Sequence, residues 1–227
     1  MRKYNAAIDW EWVRDVFLKK DGVSAAGIPG IKKSILACAD VCLRIARSKA
    51  APGVTLTKKK IVYISGSSIK LEDGVKLSTG EISLFLKDAA YLYIMAVTIG
   101  RGIEEAATKY MEKGDPLRGY ILDRIGSFAC ESLAESVEEG LRKTYAPEGL
   151  SVSMRFSPGY CDFPIEEQFK LNKTLDFSKI GIAINKNCMM VPKKSITAIV
   201  GIGPKGVFGK KRSQCEICAK PDCGYRR

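Results

Sequence analysis

The sequence predicts an α+β domain in which a curved antiparallel sheet is backed by helices. A long helix is expected at about 116–145, because Asp115-Pro116 is a typical helix start and apolar residues then recur at helical spacing. Asp73-Gly74 between two short strand-like segments is a hairpin signal. The segment 91–97 is apolar on both faces, which is typical of a central strand.

The other elements follow from apolar periodicity and from turn residues. We predict helices at 5–20, 31–48, 80–88, 103–113 and 165–171, and strands at 60–64, 69–71, 75–77, 150–154, 180–184 and 196–202. Cys38 and Cys42 lie four residues apart on the second helix. Two such thiols could share a metal, but free cysteines are more often small core residues, and the core is the favoured interpretation.

Composition limits the function classes. At 227 residues, of which 46% are hydrophobic, the chain can form a sizeable core. The sequence has no histidine, which excludes Ser-His-Asp and Cys-His catalysis and histidine-ligated metals within this chain. No apolar run approaches the roughly 18 residues that span a bilayer, and the start Met-Arg-Lys-Tyr-Asn lacks the pattern of a signal peptide. We therefore expect a soluble, cytoplasmic protein with no membrane partner.

The net charge of +12, from 37 basic and 25 acidic residues, raises the question of a nucleic-acid partner. The tight basic runs are 58–60 and 210–212, and stacking aromatics do not alternate with either of them. We therefore expect no nucleic acid. A positive field also attracts acidic proteins and speeds their association. The alternative is that most of these basic residues are ordinary solvated surface residues.

The segment 155–164, Arg-Phe-Ser-Pro-Gly-Tyr-Cys-Asp-Phe-Pro, concentrates binding chemistry. Arg155 is a permanently charged fork that suits a carboxylate. Gly159 has no side chain to keep a ligand off the backbone, and Tyr160 offers a flat ring. These groups suit a small zwitterion with a planar group attached. The alternative is a surface turn with an ordinary arginine.

This segment resembles the S-adenosylmethionine (AdoMet)-binding motif of the activation domain of cobalamin-dependent methionine synthase, which reads Arg, any residue, Ala, Pro, Gly, Tyr. Ser157 stands at the place of the alanine, and the following residues read Cys-Asp-Phe-Pro where the family has Pro-Ala-Cys-Pro. Ile8-Asp9-Trp10 is similar to the family's Ile-Asp-Trp. The segment 127–135 is similar to its small-residue helix with an acidic ligand, and 189–195 to its Met-x-Pro-x-x-Ser segment.

The resemblance implies a free-standing reactivation subunit for a corrinoid-dependent methyltransferase, expected to be methionine synthase. Its reaction would be the reductive methylation of cob(II)alamin with AdoMet, in which the cofactor does the chemistry and no side chain is catalytic. The AdoMet-binding residues implied by the motifs are Asp9, Glu131, Arg155, Ser157, Gly159 and Tyr160. Arg155 would bind the methionine carboxylate, and Asp9 and Glu131 would neutralise the ammonium or sulfonium end. Glu135 is the alternative to Glu131.

The resemblance also implies partners. Cobalamin would be carried by a cobalamin-binding methyltransferase subunit, and the electron would come from an acidic donor such as flavodoxin or ferredoxin. The family places a second carboxylate six residues before its arginine, where this sequence has Gly149, with Glu148 adjacent. Two other functions stay open: a non-enzymatic sensor of AdoMet or corrinoid, and a zinc-stabilised interaction module.

We divide the chain into an AdoMet-binding activation domain at 1–205 and a cysteine-rich basic tail at 206–227. Cys215, Cys218 and Cys223 in the tail have a spacing typical of a soft-metal site, either zinc or an iron–sulfur cluster. A fourth ligand could be Cys161 or Cys188. The alternative is a reduced tail without metal.

Overall fold

The computed structural model of the protein describes residues 6–22 and 29–208, together with Asp222. The α-helices of this part of the chain are α1 (Trp10–Phe17), α2 (Pro29–Lys49), α3 (Ile82–Phe85), α4 (Gly102–Glu112), α5 (Pro116–Tyr145) and α6 (Glu167–Leu175). Its strands are β1 (Gly53–Ser65), β2 (Ser68–Leu71), β3 (Lys76–Ser78), β4 (Tyr91–Thr98), β5 (Leu150–Phe156), β6 (Ala183–Ile184), β7 (Met190–Val191) and β8 (Ser195–Pro204). None of the helices within the described residues combines the length and the apolar character required to cross a bilayer.

The main sheet has six strands in the order β3-β2-β1-β4-β8-β5, and all neighbouring pairs are antiparallel. β6 and β7 form a separate antiparallel pair. β4 lies between β1 and β8 and is buried from Leu92 to Thr98, so the central position predicted for 91–97 is confirmed. β5 forms one edge of the sheet.

Both faces of the sheet are covered, because alternate side chains of β4 enter two separate cores. The odd-numbered residues of 93–97 pack in the first core, with α1, α2, α4 and α5. The even-numbered residues of 92–96 pack in the second core, with α3 and α6. The predicted α+β class, with an antiparallel sheet backed by helices, is confirmed.

The long helix agrees with its prediction at both ends. α5 begins at Pro116 and ends at Tyr145. The side chain of Asp115 caps it by accepting a hydrogen bond of 3.1 Å from the N–H of Arg118. The predicted hairpin is also present, since β2 and β3 pair antiparallel on either side of Gly74.

Several elements differ from their predicted bounds, and three of these differences have a physical reason in the structure. α1 begins at Trp10 and not at residue 5, because Asp9 is its N-cap. β1 begins at Gly53 and not at residue 60, because pairing with β4 extends through the polar residues that precede 60. The strand predicted at 180–184 is reduced to β6, because the chain first forms a 3₁₀ turn that ends at a left-handed Gly181.

Candidate functional site

Arg155 lies near the end of β5, where a β-bulge interrupts the pairing with β8. The paired positions advance three residues on β5, over 152–155, but only two on β8, over 200–202. The hydroxyl of Ser153 accepts a hydrogen bond of 2.8 Å from the N–H of Gly201. This bond satisfies a backbone donor that the irregular pairing would otherwise leave open.

The bulge changes which face of the sheet each side chain of β5 occupies. Val152 packs in the first core, whereas Met154 and Phe156 pack in the second. In a regular strand these three alternate residues would share one face. Because of the extra residue, Arg155 shares the face of Val152 and is directed at α5.

α5 presents three carboxylates to Arg155. Glu131, Glu135 and Glu138 follow one another at intervals of four and three residues, which places them on one face of the helix. Arg155 donates through Nη2 to Glu131 and through Nη1 to Glu138. Its Nη1 also lies 3.6 Å from Oε2 of Glu135. The structure thus joins the predicted Arg155 and Glu131 directly, and Glu135 lies beside them.

Glu138 is the most deeply buried of these acids, with a side chain that is 1% exposed. Its second oxygen accepts a hydrogen bond of 2.9 Å from Nη2 of Arg142, and Nη1 of Arg142 lies 3.4 Å from Glu135. We call Glu131, Glu135, Glu138, Arg142 and Arg155 the carboxylate–guanidinium cluster. The cluster has three acidic and two basic groups, and its excess of negative charge favours a ligand that carries positive charge.

The cluster keeps Arg155 charged. Burial lowers the pKa of its guanidinium, but the carboxylates of Glu138, Glu131 and Glu135 act in the opposite direction, and the pKa is raised above its usual value. Arg155 is therefore a permanent cation whose planar fork can bind a carboxylate through two donors.

Asp9 is held next to the same stretch of α5. Its backbone N–H donates to the hydroxyl of Ser132 at 2.9 Å, and the N–H of Ala7 donates to the hydroxyl of Ser136 at 3.0 Å. The carboxylate of Asp9 caps α1 by accepting from the N–H groups of residues 11 and 12. Asp9 thus lies beside the residue that follows Glu131, and it also has the role of a helix-start acid, the alternative that its position in the sequence leaves open.

The predicted lining residues Ser157, Gly159 and Tyr160 form a turn directly after β5. The N–H of Gly159 donates to the carbonyl of Phe163 at 2.7 Å, and the N–H of Tyr160 donates to the carbonyl of Ser157 at 3.2 Å. Gly159 has a φ of 90°, which glycine adopts without strain. Phe163 anchors the turn in the second core, whereas Tyr160 is 47% exposed and accessible to a ligand.

A surface cleft of about 460 Å³ opens beside the cluster. Its volume lies within the range of small-molecule sites. The cleft is lined by α5, by the first half of β5 and by the end of the described chain, with the residues Glu135, Glu139, Arg142, Ala146, Leu150, Ser151, Val152 and Phe208. The turn of Tyr160 follows the other end of β5, so the cleft and this turn flank Arg155 along the strand.

The sequence reasoning missed Glu138 and Arg142. A signal for them was present, because charged residues at 131, 135, 138 and 142 recur at helical spacing along α5. The family pattern instead directed attention to Gly149 and Glu148, which precede β5 at the end remote from Arg155. Glu131, which the family pattern indicated, contacts Arg155, and the other acids that do so come from the same helix and not from the residues before β5.

The predicted metal ligands Cys215, Cys218 and Cys223 lie outside the described residues. Of their candidate fourth ligands, Cys188 is buried and Cys161 packs against the second core. Across residues 6–22 and 29–208, no group of three His, Cys, Asp or Glu side chains is placed to hold a metal ion. The metal site in the tail and the division of the chain at 205/206 stay predictions.

The cysteine pair of α2 belongs to the interior. Cys42 is buried in the first core, and Cys38 is partly buried against it. Burial, with a smaller contribution from Cys38, raises the pKa of the Cys42 thiol to about 12. The thiol is therefore protonated at neutral pH, and the interpretation of this pair as core residues is confirmed.

Comparisons with known proteins give the family and the fold of this chain. The family model described as vitamin B12 dependent methionine synthase, activation domain, matches residues 85–209, which include α5, β5 and the turn of Tyr160. The crystal structure of the MetH reactivation domain bound to AdoHcy superposes with a TM-score of 0.64 at 18% identity, over 91% of this chain and 76% of that one. At this identity the likeness concerns the fold. No curated protein matches the sequence. Since the family match spans more than half of its length, this chain belongs to the family of vitamin B12-dependent methionine synthase activation domains.

Proposed function

We propose that this chain binds AdoMet at the carboxylate–guanidinium cluster and supports the reactivation of cobalamin-dependent methionine synthase by reductive methylation of cob(II)alamin. One observation carries the proposal: the motif arginine, Arg155, is directed at three carboxylates of α5. The amino-acid end of AdoMet carries a carboxylate, an ammonium and a nearby sulfonium. Arg155 offers a cation for the carboxylate, and the glutamates of α5 offer anions for the two positive groups. The similar MetH domain, which is bound to AdoHcy, supports the same class of ligand.

Binding would exchange one ion pair for two. Glu131 and Glu135 have side chains that are 32% and 36% exposed, so a ligand can reach them from solvent. The ligand carboxylate would replace Glu131 on Nη2 of Arg155. The displaced Glu131 would then accept the ligand ammonium, together with Asp9. Each charge keeps a partner of opposite sign during the exchange, which avoids the cost of an unpaired buried charge.

The turn after β5 would receive the rest of the ligand. The exposed ring of Tyr160 offers a flat surface for the adenine. Gly159 leaves the backbone open for close approach, and Ser157 adds a hydroxyl. Ser157, Gly159 and Tyr160 follow Arg155 closely in the chain. The amino-acid end of a ligand at Arg155 and its adenosine end at the turn could therefore be bound together.

The chemistry would come from the two cofactors. When bound, AdoMet supplies an electrophilic methyl group, and cobalamin on a methyltransferase partner supplies the cobalt that accepts it with one electron from a donor. The residues of this chain would bind AdoMet, fix its orientation and neutralise its charges. We further propose an acidic electron donor such as flavodoxin or ferredoxin, because the net charge of +12 would speed its association.

Two measurements test the proposal. Calorimetric titration with AdoMet and AdoHcy should give saturable binding at one site. Mixing the protein with a cobalamin-carrying methyltransferase, AdoMet, flavodoxin and a reductant should convert the absorption spectrum of cob(II)alamin to that of methylcobalamin, and omission of this chain should abolish the conversion. Absence of binding would reject the proposal.

The alternatives give different results in the same pair of experiments. A sensor of AdoMet or corrinoid would bind its ligand but leave the conversion unchanged. A zinc-stabilised interaction module would bind neither AdoMet nor AdoHcy. Conversion of cob(II)alamin therefore distinguishes the reactivation subunit from the sensor. Titration with AdoMet distinguishes both of them from the interaction module.

A further inference from the structure

Glu138 differs from the other acids of the cluster in its surroundings. Its side chain is 1% exposed, and its neighbours Val137 and Leu141 lie in the first core. One carboxylate oxygen accepts from Arg155, and the other accepts from Arg142 at 2.9 Å. A carboxylate at this depth is stable only with such partners, because its desolvation must be offset by opposite charge and hydrogen bonds.

The two ends of the Arg155 guanidinium face different environments. Nη1 is bound by the buried Glu138, and Nη2 is bound by Glu131 at the solvent-accessible rim. An arginine side chain has several rotatable bonds, so a single rim contact would leave the plane of its guanidinium variable. A buried contact at Nη1 fixes that plane and leaves Nη2 directed at the rim.

We propose that Glu138 is a positioning residue for ligand binding. Its carboxylate holds the guanidinium of Arg155 so that Nη2 is presented to the carboxylate of the bound amino acid. This inference rests on the proposed function, because it assumes that Arg155 binds the carboxylate of AdoMet. Glu131 at the rim is the group that the ligand displaces, and Glu138 remains bound throughout.

Arg142 completes the arrangement. It neutralises the oxygen of Glu138 that Arg155 does not use, and it lies within 3.4 Å of Glu135. Glu138 supplies a fixed anion next to Arg155 from the helix side, on the element that also carries Glu131.

The competing explanation is that Glu138 forms a purely structural ion pair. Two ligands distinguish this structural role from the proposed positioning role. AdoHcy carries an amino-acid group, whereas 5′-deoxy-5′-methylthioadenosine has the same nucleoside and thioether without that group. Both are uncharged overall at neutral pH, so loss of a charge at residue 138 does not by itself favour one of them. Loss of a positioning residue weakens only AdoHcy, whereas general damage to the site weakens both.

The experiment is equilibrium dialysis of both ligands with the wild-type chain, Glu138→Gln and Glu105→Gln. Glu105 is the matched control, because it is an exposed glutamate of α4 that belongs neither to the cluster nor to the lining of the cleft. We expect Glu138→Gln to bind AdoHcy about tenfold or more weakly, the effect of losing a charge-assisted hydrogen bond. Methylthioadenosine should bind Glu138→Gln within about twofold of wild type, and Glu105→Gln should bind both ligands as wild type does.

Equal weakening of both ligands in Glu138→Gln, or unchanged AdoHcy affinity, overturns the inference while the proposed function stands. Failure of the wild-type chain to bind AdoHcy overturns both. If thermal melting shows that Glu138→Gln does not fold, Arg142→Gln takes its place, since it removes the second partner of Glu138 without touching Arg155. The same selective loss of AdoHcy is then expected, and a loss shared by both ligands rejects the inference.

Discussion

The backbone N–H of Asp9 donates a hydrogen bond of 2.9 Å to the hydroxyl of Ser132, a residue 123 positions later in the chain. This bond attaches the start of α1 to the part of α5 that carries the cluster. Ser132→Ala should lower the free energy of unfolding by about 1 kcal/mol. It should also weaken AdoMet binding, because Asp9 would no longer be held beside Glu131. Urea denaturation and calorimetry measure the two effects.

Ser136→Ala is the control for this prediction. It removes a similar bond of 3.0 Å from the N–H of Ala7, one turn further along α5. The loss of stability should be similar, but the affinity for AdoMet should change less. An equal loss of affinity in the two variants would show that Asp9 has no special part in binding.

Arg155→Ala should weaken AdoMet binding by about 1.5–3 kcal/mol, the usual contribution of a hydrogen bond to a charged group. Arg155→Lys should restore only part of this, because an ammonium lacks the planar fork that binds a carboxylate through two donors. Calorimetric titration measures both. Unchanged affinity in Arg155→Ala would remove the central element of the proposed site.

Stability should fall in alkaline solution. Burial, and to a smaller extent the carboxylate of Glu131, raises the pKa of the Cys130 thiol from 9.0 to about 12. The folded state therefore retains this proton more tightly than the unfolded state. The resulting stability is complete below pH 9.0 and is lost as the pH rises towards 12, at up to about 1.4 kcal/mol per pH unit. Cys130→Ala should show a shallower decline in urea denaturation between pH 8 and 10.5, and an identical slope would contradict the assignment.

The rate of reactivation should fall steeply between low and physiological ionic strength. Exposed charges are screened over about 8–10 Å under these conditions, and the attraction of a basic protein for an acidic electron donor is lost with them. Stopped-flow absorption of the cobalamin spectrum gives the rate. A rate independent of salt would leave the charge of +12 without this role.

The tail should bind metal. Cys215, Cys218 and Cys223 are close enough in sequence to share one ion, and the chain has no imidazole to compete. We expect about one zinc per chain after aerobic purification, or a brown iron–sulfur chromophore after anaerobic isolation. Elemental analysis and an absorption spectrum distinguish these outcomes. Full activity of metal-free protein and of a Cys215→Ser/Cys218→Ser variant would exclude a role for the metal.

The helices and the central strands could be predicted from the sequence, because each depends on the residues within its own segment. α5 has a capping acid, a proline in its first turn and an apolar stripe, and its predicted bounds agree with the structure. β4 has a run of apolar residues that only a central strand can bury. β1 was predicted too short, because the residues around Lys58 are polar and become a strand only through pairing with β4.

The candidate site could be predicted only in part. Arg155 and Tyr160 belong to a compact motif, and short motifs can be recognised from their sequence. Glu138 lies 17 positions from Arg155, and nothing in the spacing of α5 indicates which of its acids a distant arginine will contact. That choice depends on the alignment of β5 against α5, which is a property of tertiary packing.

The bulge in β5 lets three residues of chain span two positions of the sheet between Val152 and Arg155. Deletion of one residue between them would leave the motif from Arg155 to Tyr160 unchanged and would remove the need for the bulge. The arginine would stay on the face of Val152, because residues two apart in a regular strand share one face. A strand that kept all three residues but lost the bulge would instead turn the arginine into the second core and would have no AdoMet site of this design. Searches for further members of the family should therefore compare the length and the pairing of this interval as well as the residues of the motif.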